Sequence, residues 1–190
     1  MLLAYLVYND GANTIIRMGT MYGTEIGLAP GALLGAVLLI QWIGVPCAVL
    51  FGMLAGRIGA KRALFAGLAV YVVIAQLGYF METARDFVAL SILVGMAMGG
   101  LQALSRSLFA TLIPRHKSAE LFGFYAIGDK FAGIAGPGLF AAAAGGMGSS
   151  RPAILGLVVF FVAGALLLAR VDVEAGRAAA RDAEAAAGLR

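Results

Sequence analysis

Hydrophobic and polar positions fall into long blocks along this chain. Six apolar stretches cover about Leu2–Tyr22, Gly31–Leu54, Ala63–Met81, Phe87–Ile113, Leu121–Ala144 and Pro152–Ala169, with short polar segments between them. A helix that crosses a bilayer needs about 20 mostly apolar residues, and each stretch is of that order. The pattern predicts an all-α integral membrane protein, with a six-helix transmembrane bundle over residues 1–170. Pro114 stops the fourth helix, because proline cannot continue one comfortably. A Gly/Ser turn over Gly145–Ser150 leads into the sixth. The remainder, residues 171–190, is Ala-rich, carries both signs of charge including Arg190, and reads as a solvated, partly helical cytoplasmic tail.

Charge in the connecting segments alternates. The second holds Arg57, Lys61 and Arg62, and the fourth holds Arg115 and Lys117. On the other side the first has Glu25 and no basic residue, the third sets Arg85 between Glu82 and Asp86, and the fifth has Arg151 alone. Basic residues gather in short cytoplasmic loops, so both termini are expected in the cytoplasm of a multi-pass protein of the cell (inner) membrane. Tyr5, Tyr22, Tyr79 and Trp42 are candidate interfacial anchors.

Composition narrows the function classes. Charged residues make up 13% of the chain against about a quarter in a soluble domain, so much of the surface faces lipid. The net charge of +4 follows from the loop bias and does not imply nucleic acid. Cys47 is the single cysteine and His116 the single histidine, which leaves no disulfide, no multi-His metal site and no expected cofactor. No metalloprotease helix motif, nucleophile elbow or carboxylate pair placed for acid–base work occurs, so the chain does not read as an enzyme. Gly123 to Lys130 nearly spells a phosphate-binding loop, but it lacks the spacing and the final Ser/Thr, and it lies in an apolar span.

Polar residues inside the spans carry the functional signal. A charge at the bilayer centre costs about 2.5–3.5 kcal/mol on insertion scales, so such residues face a bundle interior or a water-filled cavity. The first span carries Tyr8, Asn9, Asp10, Asn13, Thr14 and Arg17. Positions 9, 13 and 17 repeat every four residues and form one stripe, read here as a cavity lining rather than helix–helix glue. The fourth span carries Gln102, Ser105, Arg106 and Ser107, and its Gln102–Arg106 spacing repeats Asn13–Arg17, as an inverted repeat of three helices would. Arg106 is equally readable as a side chain that snorkels to the cytoplasmic surface. Asp129 and Lys130, adjacent in the fifth span, point about 100° apart; each either finds a partner on another helix or edges the cavity. Gly-x-x-x-Gly occurs at Gly31/Gly35, Gly52/Gly56 and Gly95/Gly99 and is read as packing inside the molecule. Pro46 and Pro137 are candidate kinks in the second and fifth helices.

The segment Gly52-Met-Leu-Ala-Gly-Arg57-Ile-Gly59-Ala-Lys61-Arg62 resembles the motif between the second and third helices of each half of major facilitator superfamily transporters. Gly56 stands where that family has Asp, so the charge relay the Asp supports is not implied here. Tyr8-Asn-Asp-Gly-Ala-Asn-Thr-Ile-Ile-Arg17, and Gly100-Leu-Gln-Ala-Leu-Ser-Arg-Ser107 through Leu112-Ile-Pro to Glu120-Leu-Phe-Gly-Phe-Tyr125, resemble the autophagy-related vacuolar effluxer-like branch and its bacterial relatives. The resemblance runs from about Leu2 to Asp172. It implies one half, the C-terminal one, of a twelve-helix fold built as a 3+3 inverted repeat, with substrate held between two halves.

On that resemblance the expected activity is transport of a small solute by alternating access, with an amino acid or other organic metabolite as cargo. Asn9, Asp10, Asn13, Arg17, Gln102 and Arg106 are expected along the substrate and coupling pathway. Asp10 would couple proton or substrate, and Asp129 and Lys130 are secondary candidates. Gly52, Arg57, Gly59, Lys61 and Arg62 are expected at the cytoplasmic gate. The expected partners are the lipid bilayer, the solute, protons and a second six-helix half, supplied by the same gene upstream or by another chain; a longer gene is the favoured source. The competing expectation is a six-helix membrane scaffold that transports nothing.

Overall fold

The computed structural model describes residues 1–25, 27–147 and 150–188. Among these, nine α-helices account for almost all of the chain: α1 (Leu2–Glu25), α2 (Pro30–Ile58), α3 (Ala60–Tyr79), α4 (Ala84–Thr111), α5 (Ser118–Phe131), α6 (Ala135–Met147), α7 (Ser150–Gly156), α8 (Val158–Ala169) and α9 (Val173–Ala186). A 3-10 turn, Arg115–Lys117, joins α4 to α5. Of the expected Gly/Ser turn, residues 148 and 149 lie outside the described residues, as do Arg190 and the side chain of Arg151.

Local chemistry explains where the long helices begin and end. Pro30 opens α2, where its missing N–H costs nothing. Gly59, at φ +90°, ends α2 and admits α3 one residue later, a backbone conformation that side chains disfavour. α4 begins with a capping box: the Thr83 hydroxyl accepts from the Asp86 N–H at 3.2 Å, and the Asp86 carboxylate accepts from the Thr83 N–H at 3.0 Å.

α2, α3 and α4, at 29, 20 and 28 residues, are long and apolar enough to cross a membrane, and a fourth candidate is a bent pair over Ala153–Ala169 and Val173–Ala186. At a rise of about 1.5 Å per residue, α3 just spans the roughly 30 Å hydrocarbon core. α1 has the length, at 24 residues, but carries the polar stripe. Two of the six expected helices are divided. The stretch expected as one helix over 121–144 is α5 and α6, parted at Ala132–Ile134, where Gly133 takes φ +99°. Pro137 does not kink a continuous rod; it lies in the first turn of α6, where its N–H is not needed. The last stretch is interrupted at Leu157, after Gly156, although Leu157 keeps helical angles of −68° and −21°.

α2 lies along α4, α3 against α4 and α8, and α1 against α8, α5 and α6. Small residues set the closest seams. A Cβ on Gly95 would meet the Ile40 carbonyl oxygen at 2.8 Å, and one on Gly164 would meet Tyr8 Cβ at 2.7 Å. The Gly95/Gly99 pair thus packs inside the molecule, as expected. Gly31, Gly35, Gly52 and Gly56 have nothing near their Cβ positions and face outward. Tyr5 and Tyr22, in the first and last turns of α1, are buried in the bundle; Trp42 is exposed halfway along α2, and Tyr79 is the last residue of α3.

The tail is a docked helix. Asp172 caps α9 by accepting from the Glu174 and Ala175 N–H groups, each at 3.0 Å. Glu184 accepts from the Arg115 N–H at 2.8 Å, Ala180 is buried, and Gly176 meets Leu112.

Candidate functional site

The polar residues of α1 converge on the break between α5 and α6. Asp10 is buried, and its carboxylate takes two backbone bonds there. Oδ1 accepts from the Gly133 N–H, and Oδ2 accepts from the Gly136 N–H at 2.7 Å. These N–H groups stand at the start of α6, where a helix carries partial positive charge. One α1 side chain therefore caps a helix more than a hundred residues away in sequence. Thr14, also buried, donates to the Asp10 carbonyl at 2.7 Å. Arg17, one further turn along, is exposed and donates from Nη1 to the Gly133 carbonyl at 3.3 Å. A Cβ on Gly136 would come within 3.0 Å of Thr14 Cβ, and one on Gly133 within 3.3 Å of the Arg17 guanidinium carbon. Glycine at both positions lets the α1 side chains reach the backbone.

A second cluster lies nearer the start of α1. Asp129 Oδ1 accepts from the Tyr5 hydroxyl at 2.6 Å and from Asn9 Nδ2 at 2.8 Å. The Tyr5 ring stacks on Tyr125 at 4.2 Å, and Tyr125 packs against Phe109 at 5.1 Å. Tyr8 and Ser105 share a hydrogen bond of 2.6 Å that ties α1 to α4. Of the two alternatives left open for Asp129, the bundle supplies the partner on another helix. Lys130 points elsewhere and is exposed.

Asn13 and Gln102 are both half-buried, and Arg17 and Arg106 are both exposed. The two spacings that match in sequence thus match in exposure as well. Arg106 lies beside the Tyr125 hydroxyl.

The basic motif after α2 is not a loop but a one-residue turn at Gly59. Arg57 ends α2, and Lys61 and Arg62 open α3. Arg57, Arg62 and Gly52 are exposed. Lys61 Nζ instead donates to the carbonyls of Ala169 at 2.9 Å and Val171 at 2.7 Å, closing the C-terminal end of α8, where a cation is favoured. Among the described residues no group of three or more His, Cys, Asp or Glu side chains stands together to hold a metal ion.

Tyr5, Tyr125, Gly133 and Gly136 were not singled out as site residues from the sequence. A signal for the last two was present: Gly133-Ile-Ala-Gly136-Pro137-Gly places helix breakers in mid-span. The tyrosines gave none, since aromatic residues in an apolar stretch read as core.

The family described as vacuole effluxer Atg22 like matches residues 1–181. An uncharacterized MFS-type transporter of Bacillus subtilis, YxiO, is 43% identical over 173 residues, which are 91% of this chain and 40% of that protein. Autophagy-related protein 22-1 of Aspergillus niger is 28% identical over 201 residues, 93% of this chain and 31% of that protein. Autophagy-related protein 22 of Botryotinia fuckeliana is 28% identical over 206 residues, 100% of this chain and 31% of that protein. The chain spans between about a third and two fifths of the length of these relatives. Such proteins are transporters and not enzymes. With its apolar spans, its polar first helix and a family match over nearly its whole length, this multi-pass membrane chain belongs to the Atg22-like family of the major facilitator superfamily.

Proposed function

We propose that this chain forms the C-terminal six-helix half of a transporter that moves a small organic solute across the cell membrane by alternating access. In this reading α5 and α6 make one broken span, α7 and α8 another, and both termini are cytoplasmic. The second half comes from the same polypeptide or from a partner chain.

One observation carries the reading. Arg17 and Lys130 are exposed on helices that the reading places in the membrane, and Lys130 lies near the middle of the broken span. Left against lipid, two such charges would cost about 5–7 kcal/mol together on the insertion scale. The surface that bears them therefore faces water or protein, as a cavity between two halves provides. The matching exposure of Arg17 and Arg106 supports a pathway lined by α1 and α4, with Asn9, Asp10, Asn13 and Gln102 along it. An amino acid is the first cargo to test, because two guanidinium groups suit a carboxylate. Arg57, Arg62 and Lys61 are assigned to the cytoplasmic end, where Lys61 joins α3 to α8.

The test is uptake by the protein reconstituted in vesicles, across a panel of labelled amino acids and organic acids. Arg17→Ala and Arg106→Ala should each abolish uptake of the cargo that wild type moves, while Arg85→Ala, at the opposite end of α4, should leave it unchanged. Correct insertion with no flux of any solute would favour the scaffold.

A further inference from the structure

The two carboxylates around the α5–α6 break are held differently. Both oxygens of Asp10 accept from backbone N–H groups, so that side chain is used up inside the bundle. Asp129 is half-buried, at the edge of α5 beside the exposed Ala126 and Lys130. Its Oδ1 accepts from both Tyr5 and Asn9, at 2.6 and 2.8 Å. Among the described residues its Oδ2 accepts from nothing, and no cationic side chain pairs with the carboxylate. We propose that Asp129 binds the positively charged amine of the cargo and, with Tyr125, sets specificity for solutes that carry one. This rests on the transport reading above, and it names the group that reads the cationic end of the cargo.

Tyr125 shows what the cluster lacks. Its ring stacks on Tyr5 at 4.2 Å, and its hydroxyl lies near Asp129 and Arg106. The residue is 3% exposed, and the hydroxyl has no hydrogen-bond partner among the described residues. A buried hydroxyl left unpaired is costly, so the cluster is one polar group short. An ammonium carries three donors and no acceptor. It can give one to Asp129 Oδ2, in a charge-assisted bond, and one to the Tyr125 oxygen. An anion is repelled by the carboxylate, and a neutral hydroxyl has only one donor for two acceptors.

The surroundings fit the other end of the same solute. Arg106 lies beside the Tyr125 hydroxyl, and Arg17 donates to the carbonyl of Gly133, four residues past Asp129. Both guanidinium groups suit a carboxylate. Lys130 does not stand in for the amine, because adjacent helical positions point about 100° apart.

The test is equilibrium binding of labelled amino acids to the reconstituted protein, each compared with the acid of the same skeleton that lacks the amine. Wild type should hold the amine-bearing member at least about tenfold more tightly, as one charged hydrogen bond provides. Asp129→Asn keeps an oxygen for Tyr5 and Asn9 but loses the charge, so it should bind both members of a pair equally. Tyr125→Phe should weaken binding of the amine about fivefold and leave the unfolding midpoint unchanged or higher, because its hydroxyl has no partner to lose. A purely structural tyrosine would not separate those two measurements. If Asp129→Asn fails to insert, Tyr125→Phe decides. No preference for the amine in wild type, an undiminished preference in either variant, or binding that needs sodium and ignores the amine overturns the proposal. Flux is scored separately: selective amine binding without flux sinks the transport reading and leaves the site, whereas flux of a solute without an amine, untouched by Asp129→Asn, sinks the site alone.

Discussion

Gly44 and Gly99 face each other across the α2–α4 seam, and the same substitution should have opposite effects on them. A Cβ on Gly99 would lie 2.7 Å from the Gly44 carbonyl carbon and 2.9 Å from its Cα. Those separations are about 0.5–0.7 Å inside ordinary contact. Every obstructing atom is backbone, so no rotamer change relieves the overlap and the two helices must part. Parting them also opens the neighbouring contacts of Gly95 with Ile40 and of Gly100 with the Phe51 ring. Overpacking of this kind costs about 1–3 kcal/mol. A Cβ on Gly44 would instead lie 3.6 Å from the nearest atom, the Gly95 carbonyl oxygen, which is ordinary contact. Replacing glycine by alanine inside a helix gains about 1 kcal/mol at either position. Gly44→Ala should therefore be neutral or up to about 1 kcal/mol more stable, and Gly99→Ala should lose up to about 2 kcal/mol net. Gly52→Ala, with nothing near its Cβ position, is the control within the helices. Unfolding midpoints in mixed micelles, read by Trp42 fluorescence, measure the series. Equal midpoints for Gly44→Ala and Gly99→Ala would refute the seam.

Three further outcomes are expected. Asp129→Ala leaves the Tyr5 hydroxyl and the Asn9 amide without their acceptor and should cost about 2–4 kcal/mol, against a small loss for Lys130→Ala; comparable losses in the same unfolding assay would contradict the assigned geometry. Lys61→Met removes both bonds that hold the end of α8, so trypsin should cut at Arg177 and Arg181 several-fold faster than in wild type, while Arg62→Met should leave the rate unchanged. Cysteines at Gly27 and Thr83 should react with an impermeant reagent from outside intact cells and one at Ala119 should not; the reverse pattern would invert the proposed topology.

The sequence by itself determined that the chain is helical and lives in a membrane. Its apolar blocks match the length of a bilayer-crossing helix, and no fold that exposes them to water is stable. It also determined that α1 is the unusual helix, because the cost of burying Asn9, Asp10 and Arg17 is a property of residue type and spacing. The first four helices were legible because apolar runs of that length mark them, but residues 56–62 read as a loop where the structure has a one-residue turn at Gly59. What the stripe on α1 touches was decided only by tertiary structure. Asp10 meets Gly133 and Gly136, and Asn9 meets Asp129, across more than a hundred residues of chain, and periodicity carries no information about contacts at that range. The break between α5 and α6 was missed because an apolar run hides it. The glycines there look like the other glycines of the spans until α1 is placed against them. The same holds for Gly95 and Gly99 against Gly31 and Gly35: identical motifs, of which one pair touches a neighbouring helix and the other touches nothing. Lys61 looked like one more loop charge, and only the position of α8 gave it two carbonyls to hold. Local rules set which segments are helices; the approach of distant segments sets which of their polar atoms meet.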